Sequence, residues 1–160
     1  MKKFQDKVVW ITGSSSGIGE ATAYEFAKEG AKLILTALEA DLLQQVCKKC
    51  EELGSPKAEA LPFDLSQKDQ VAELAEKAWN VFGYIDVFYN NAGISQRSKT
   101  IDTEMKVINK VMDINYFAPV IMTKVILPKM VERGGGQLVV TTSINGRFGF
   151  PLRCAYSSSK

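Results

Sequence analysis

The sequence contains no histidine. That absence removes the commonest general base at neutral pH, every triad of the Ser-His-Asp kind and every zinc site built on imidazole. Acid–base chemistry then has to run on Tyr, Lys, Ser, Cys or carboxylates, and no metal centre is expected. Cysteine is scarce, at three in 160 residues. The N-terminus carries Lys2, Lys3, Asp6 and Lys7, and the apolar run behind it stops after Val8 to Ile11, which fits no signal peptide. A disulfide framework is therefore not expected, and a reducing cytoplasm is the expected location. No run approaches the roughly eighteen apolar residues of a spanning helix, so no membrane segment is expected. A charge excess of either sign is missing too. Twenty Lys and Arg against eighteen Asp and Glu leave +2, spread along the chain, which argues against nucleic-acid or anionic-membrane binding driven by field alone. What is present, 46% hydrophobic and 24% charged residues, suffices for one domain over residues 1–160. A chain of this size buries about 68–70% of its unfolded surface.

Two patterns alternate along the chain. Apolar runs at Lys7–Thr12, Lys32–Thr36, Lys57–Pro62, Ile85–Asn90 and Gln137–Thr142 suit strands covered on both faces, as parallel strands are. Between them lie helical periods. Val71, Leu74, Ala75, Ala78 and Phe82 draw one stripe, with Ser66 and Asp69 expected at its capped start. Leu43, Val46, Cys47, Cys50 and Leu53 draw a second, closed by Gly54. Ile18, Ala21, Phe26 and Ala27 make a looser third, and Glu104 to Arg133 reads as a long helix that Pro119 disturbs. Cys47 and Cys50 sit on an apolar stripe with no partner ligands, which favours core packing over a redox or metal pair. Strand alternating with helix predicts an α/β fold with a doubly wound parallel sheet, Rossmann-like. The polar loop Gly93 to Asp102, with Arg97 and Lys99, follows the fourth strand, at the end of the sheet where such folds keep their ligands.

Thr12-Gly13-Ser14-Ser15-Ser16-Gly17-Ile18-Gly19 follows the first strand and opens the first helix. A turn of this kind either brings backbone N–H groups up to a pyrophosphate or is a plain tight turn. In the first reading Gly13 permits the turn, Gly17 the close approach and Gly19 the packing of helix on strand, with three serines as extra donors. The spacing Gly-x-x-x-Gly-x-Gly resembles the short-chain dehydrogenase/reductase family. Asp64-Leu65, Asn90-Asn91-Ala92-Gly93, Asn115, Ser143 and Tyr156-Ser157-Ser158-Ser159-Lys160 match that family's further motifs in order. Leu152 to Tyr156 and Val125 to Lys129 resemble its dehydrogenase/reductase 7 branch more loosely. The resemblance implies an NAD(P)-dependent oxidoreductase acting on a small-molecule carbonyl or secondary alcohol. Asn115, Ser143, Tyr156 and Lys160 would be catalytic. Gly13, Ser15, Ser16, Gly17, Ile18, Gly19, Ala37, Asp64, Leu65, Asn91, Ala92, Gly93, Tyr156 and Lys160 would hold the cofactor. The alternative is a non-catalytic dinucleotide-binding or regulatory protein of the same fold.

Hydride transfer to or from a carbon requires a proton to move on the attached oxygen. Without histidine a phenol is the natural carrier, but a phenol ordinarily ionises near pH ~10. Bringing it near neutrality takes about 4 kcal/mol, roughly what an ammonium ~4 Å away supplies at an effective dielectric near 20. Tyr156 and Lys160 lie one helical turn apart on one face. In the family the Lys also holds the nicotinamide ribose, the Ser steadies the substrate oxygen, and the Asn holds a water leading to the Lys.

Two departures remain. Cofactor choice is normally written at the end of the second strand, an acid there marking NAD and an Arg NADP. Thr36-Ala37-Leu38-Glu39 has neither at the usual place. Branch resemblance leans to NADP, small Ala37 leaves room for a phosphate, and Glu39 would repel one if it pointed inward. Moreover, five strands are legible where the doubly wound fold has six. The sequence is thus expected to be the N-terminal portion of a longer, homo-oligomeric enzyme, and marginally stable and inactive if taken as 160 residues alone.

Overall fold

In a computed structural model, which describes residues 2–160, the apolar runs become five strands. These are β1 (Val8–Thr12), β2 (Lys32–Thr36), β3 (Ala58–Ala60), β4 (Val87–Asn90) and β5 (Gln137–Val140). All pairings are parallel and the order is β3-β2-β1-β4-β5. Val8 stands beside Lys32, Val9 beside Val87 and Val87 beside Gln137. Every residue of β1 is buried, because alternate side chains feed a core on each face. Val8 and Trp10 point to one, Val9 and Ile11 to the other. Trp10 stacks on Phe88 at 4.3 Å, and its indole N–H donates to Thr36 Oγ1 at 3.0 Å, so the polar edge of a fully buried ring is satisfied.

The helices α1 (Gly17–Lys28) and α2 (Ala40–Leu53) cover one face, while α3 (Val71–Phe82) and α5 (Ala118–Glu132) cover the other. The α2 stripe buries Leu43, Val46, Cys47 and Cys50, and Gly54 ends it in the left-handed conformation. Burial pushes the Cys47 thiol up to about 11 and the Cys50 thiol up to about 12, which disfavours the reactive thiolate form.

Four expectations change. In α1 the buried residues are Gly19, Ala23 and Ala27, whereas Ile18 is 63% exposed, because it faces the cavity described below. Ser66 does not cap α3; its N–H donates to Asp64 Oδ1 at 2.9 Å, an aspartate turn that leads into a 3-10 turn at Lys68–Gln70. The four residues of β5 are all exposed, because among the described residues none of them packs into the core on either face and no strand lies beyond this edge of the sheet. The disturbance near Pro119 takes the form of a π turn, Asp113–Phe117, between α4 (Met105–Met112) and α5. The Ala118 N–H reaches back five residues to the Asp113 carbonyl, and Pro119, which has no N–H to donate to the preceding turn, follows directly in α5.

Met105–Glu132 is long and apolar enough to cross a membrane by length and composition, with a window of mean hydropathy 1.2. Its Met122, Ile126 and Met130 nevertheless pack into the core against Leu74, Ala75 and Ala78 of α3.

Candidate active site

The glycine turn is built by contacts that leave no room for a side chain. Gly13 has φ +66°, and a Cβ there would lie 2.7 Å from the Ala92 Cα; a Cβ on Gly19 would lie 2.2 Å from the Gly13 carbonyl oxygen and 2.6 Å from Asn91 Nδ2. Gly19 therefore packs the turn against itself and against the end of β4, rather than helix on strand. Gly17, at φ +61°, has nothing within 4 Å of where its Cβ would be, so its front is open. The serines divide. Ser14 is buried, with its hydroxyl near the carbonyls of Ile11 and Thr36. The Ser15 hydroxyl donates to Glu39 at 2.9 Å, and Ser16 precedes α1 without a side-chain cap bond. The three donors expected for a phosphate reduce to Ser16.

Asn91 joins three strand ends. Its side-chain amide donates to the carbonyls of Thr12 and Gly13 at 3.2 and 3.1 Å, and its Oδ1 accepts from the Thr141 hydroxyl at 3.0 Å. Thr12 Oγ1 in turn accepts the N–H groups of Asn91 and Ala92, each at 3.1 Å. The Thr141 carbonyl accepts from Lys160 Nζ at 3.0 Å. A continuous polar chain thus links the glycine turn to the lysine that ends α6 (Cys154–Ser159). Burial lowers the Lys160 ammonium below the ordinary lysine value.

These elements surround a cavity of about 500 Å³, within the size range of small-molecule sites. It lies at the carboxyl ends of β1, β2 and β4, where the strand order turns back, the usual ligand position in an open α/β sheet. Of the residues singled out in the sequence, Gly13, Ser15, Ser16, Ile18, Ala37, Asp64, Leu65, Asn91, Ala92, Gly93, Tyr156 and Lys160 line it. Gly17, Gly19, Asn115 and Ser143 are not among its lining residues. Asp64 is held below the usual carboxylate range by the Ser66 N–H it accepts.

Asn115 is buried behind the cavity. Its Oδ1 accepts from the Ile94 N–H at 2.9 Å, while its Nδ2 donates to the Ile94 carbonyl and to Ser159 Oγ, each at 2.9 Å. The Asn115 side chain thus clamps the loop after β4 to α6. Asn115→Ala strands these groups, and a destabilisation of about 2–3 kcal/mol is expected, measured as a lower denaturant midpoint. Ser143 Oγ accepts from the Asn145 N–H at 3.2 Å, at the head of a short 3-10 turn.

Sequence reasoning missed three participants. Gln96 is 6% exposed; its Oε1 accepts the Tyr156 N–H at 3.4 Å and its Nε2 donates to Cys154 Sγ at 3.5 Å. Arg153 donates to the Gln96 carbonyl at 3.1 Å and to Ser95 Oγ, and its guanidinium lies 6.0 Å from the Tyr156 ring centre. Lys110 lines the cavity with Ile114. Their spacing of four was the available signal for Lys110; Gln96 and Arg153 left none in a chain read one segment at a time.

A family model described as short chain dehydrogenase matches residues 7–160. The chain is 40% identical over 158 residues to dehydrogenase/reductase SDR family member 7 of Homo sapiens, covering 97% of this chain and 47% of that protein. It is 43% identical over 164 residues to member 7B of Danio rerio, covering 98% and 52%. The chain thus spans about half the length of these curated relatives. A short-chain type dehydrogenase/reductase from Mycobacterium marinum superposes with a TM-score of 0.89 at 29% identity, covering 98% of this chain and 64% of that one.

Proposed function

The chain belongs to the short-chain dehydrogenase/reductase family, and from that premise we propose that it carries the dinucleotide site and the catalytic residues of an NAD(P)-dependent oxidoreductase acting on a carbonyl or secondary alcohol. The observation that carries the proposal is that one cavity is lined both by the glycine turn and by Tyr156 and Lys160. The fit of a dinucleotide is supported by the open front of Gly17 and by the start of α1, whose first-turn N–H groups receive no side-chain cap and so remain for an anion. Gly13, Ser16 and the N–H groups opening α1 would hold the pyrophosphate, Asp64 and Leu65 the adenine, and Lys160 the nicotinamide ribose. When bound, the nicotinamide supplies or accepts the hydride.

The remaining work falls to the chain. Tyr156 passes the proton to or from the substrate oxygen. Lys160, anchored by the Thr141 carbonyl, places a positive charge beside the reacting oxygen. Ser143 accepts from Asn145, which leaves its own O–H free to donate to the substrate oxygen as charge develops there. The 95–96 loop and Asn115 hold α6, and with it Tyr156, against the sheet.

The whole enzyme is proposed to be longer and self-associating, with further strands and helices covering β5 and the outer face of α5. Leu138, Val139, Val140, Leu127 and Val131 are all exposed there, more apolar surface than an isolated sheet edge normally shows. The 160 residues alone are expected to bind a hydrophobic dye and to melt early in thermal denaturation, whereas a longer polypeptide does neither. The function itself is tested by titrating the longest polypeptide that carries these residues into NADH and NADPH, watching cofactor fluorescence, and then offering a panel of carbonyl compounds. Saturable binding followed by cofactor oxidation supports the proposal, and binding without turnover favours a regulatory binder.

A further inference from the structure

On the dinucleotide-binding reading above, we propose that Glu39 makes this chain select a dinucleotide whose adenosine ribose carries a free 2′-hydroxyl, NAD over NADP. Glu39 lies two residues beyond Ala37, the usual place for an acid, and it lines the same cavity as Ala37, Leu38 and Ser15. The Ser15 hydroxyl donates to its Oε2 at 2.9 Å. That bond ties the carboxylate across the mouth of the glycine turn, so that it faces the cavity although the residue as a whole is exposed.

The charge around it points the same way. Among the described residues Glu39 forms no salt bridge, so its negative charge is not cancelled locally. The cations lining the cavity are Lys110 and Lys160. Lys110 acts on Asp64, a second carboxylate lining the cavity, and Lys160 donates to the Thr141 carbonyl. No Arg lines the cavity, and a 2′-phosphate therefore meets a carboxylate with no guanidinium to receive it. A ribose hydroxyl, by contrast, finds in Glu39 an acceptor already held in place. A carboxylate oxygen has lone pairs beyond the one Ser15 uses, so both hydroxyls can donate to it. This assignment runs against the NADP that branch resemblance favours, and it rests on a pair 24 residues apart in the chain.

The test is a paired titration of NADH and NADPH by cofactor fluorescence on wild type, Glu39→Gln and Glu39→Arg. NADH is expected to bind at least about tenfold more tightly than NADPH to the wild type, a difference that needs only the modest repulsion of one nearby charge. Glu39→Gln keeps an acceptor for Ser15 and removes the charge, so the ratio should fall toward one; Glu39→Arg should invert it. NADPH binding to the wild type as tightly as NADH, or a ratio unmoved by Glu39→Gln, overturns the proposal while leaving the dinucleotide site intact. Failure of the wild type to bind either cofactor overturns both.

Discussion

Tyr156→Phe is expected to lower turnover by about 10²- to 10⁴-fold, the usual contribution of a positioned general acid or base, in the longest polypeptide that carries these residues. The substitution removes one oxygen and the only proton the ring can exchange, and nothing holds the fold through that oxygen. The bond that places Tyr156 is made by its backbone N–H to Gln96, and its neighbours in α6 are held by Asn115 and Arg153. Stability and NADH affinity should therefore change far less than kcat. Lys160→Ala is the informative companion. Its ammonium is anchored on the Thr141 carbonyl and lines the cavity, so its loss should weaken NADH binding and lower kcat together. Among these 160 residues there is no histidine to take over the proton. A Tyr156→Phe protein retaining more than a tenth of wild-type kcat would move the proton transfer elsewhere. Stopped-flow measurement of NADH oxidation, with affinity from cofactor fluorescence, separates the two variants.

Gly19→Ala is expected to be more damaging than Gly17→Ala, although both glycines belong to one motif. A methyl on Gly19 would stand 2.2 Å from the Gly13 carbonyl oxygen, a backbone atom with no rotamer to escape into. Such overpacking costs about 1–3 kcal/mol or more. The shift would also press on Asn91, whose amide ties together the ends of β1 and β4. Gly19→Ala should lower the melting temperature by several degrees, on the scale of about 4 °C or more for such a loss in a domain of this size, and abolish NADH binding. Gly17 is different. Its Cβ would meet nothing within 4 Å, so the cost is the positive φ alone, about 1–2 kcal/mol for a residue with a side chain. The methyl would project where a pyrophosphate has to approach. Gly17→Ala should thus weaken NADH binding strongly with a small loss of stability. Equal thermal effects of the two substitutions would contradict this division of labour.

What the sequence reveals and what it hides follow from the range of the interactions. The β1 run is buried residue for residue, and the α2 stripe from Leu43 to Cys50 faces inward as its period says, because burial imposes a local repeat. Five parallel strands with helices between them follow from the same alternation. Ser15 and Glu39, Asn115 and Ile94, and Gln96 and Tyr156 are partners separated by 24, 21 and 60 residues. Each of these side chains has a plausible local life as a turn serine, a surface glutamate or a core amide, and only the fold pairs them. Ile18 shows the converse. It lies on an apolar stripe by spacing yet is exposed, since the first turn of α1 opens onto a cavity rather than a core. Ser66 fails as a cap for a local reason, because Asp64 takes its N–H. The exposed β5 escaped notice because an apolar run carries no mark of whether a neighbour covers it.

The proposed function requires chemistry at Tyr156 in a dinucleotide-loaded site. The most direct measurement is transfer of deuterium from deuterated NADH to a carbonyl substrate, followed by mass spectrometry, for wild type and Tyr156→Phe forms of the longest polypeptide that carries these residues. Label is expected on the former carbonyl carbon of the product with the wild type and its near disappearance with Tyr156→Phe, NADH remaining bound in both. Saturable NADH binding with no labelled product across the panel, or label transfer that survives Tyr156→Phe undiminished, would contradict it.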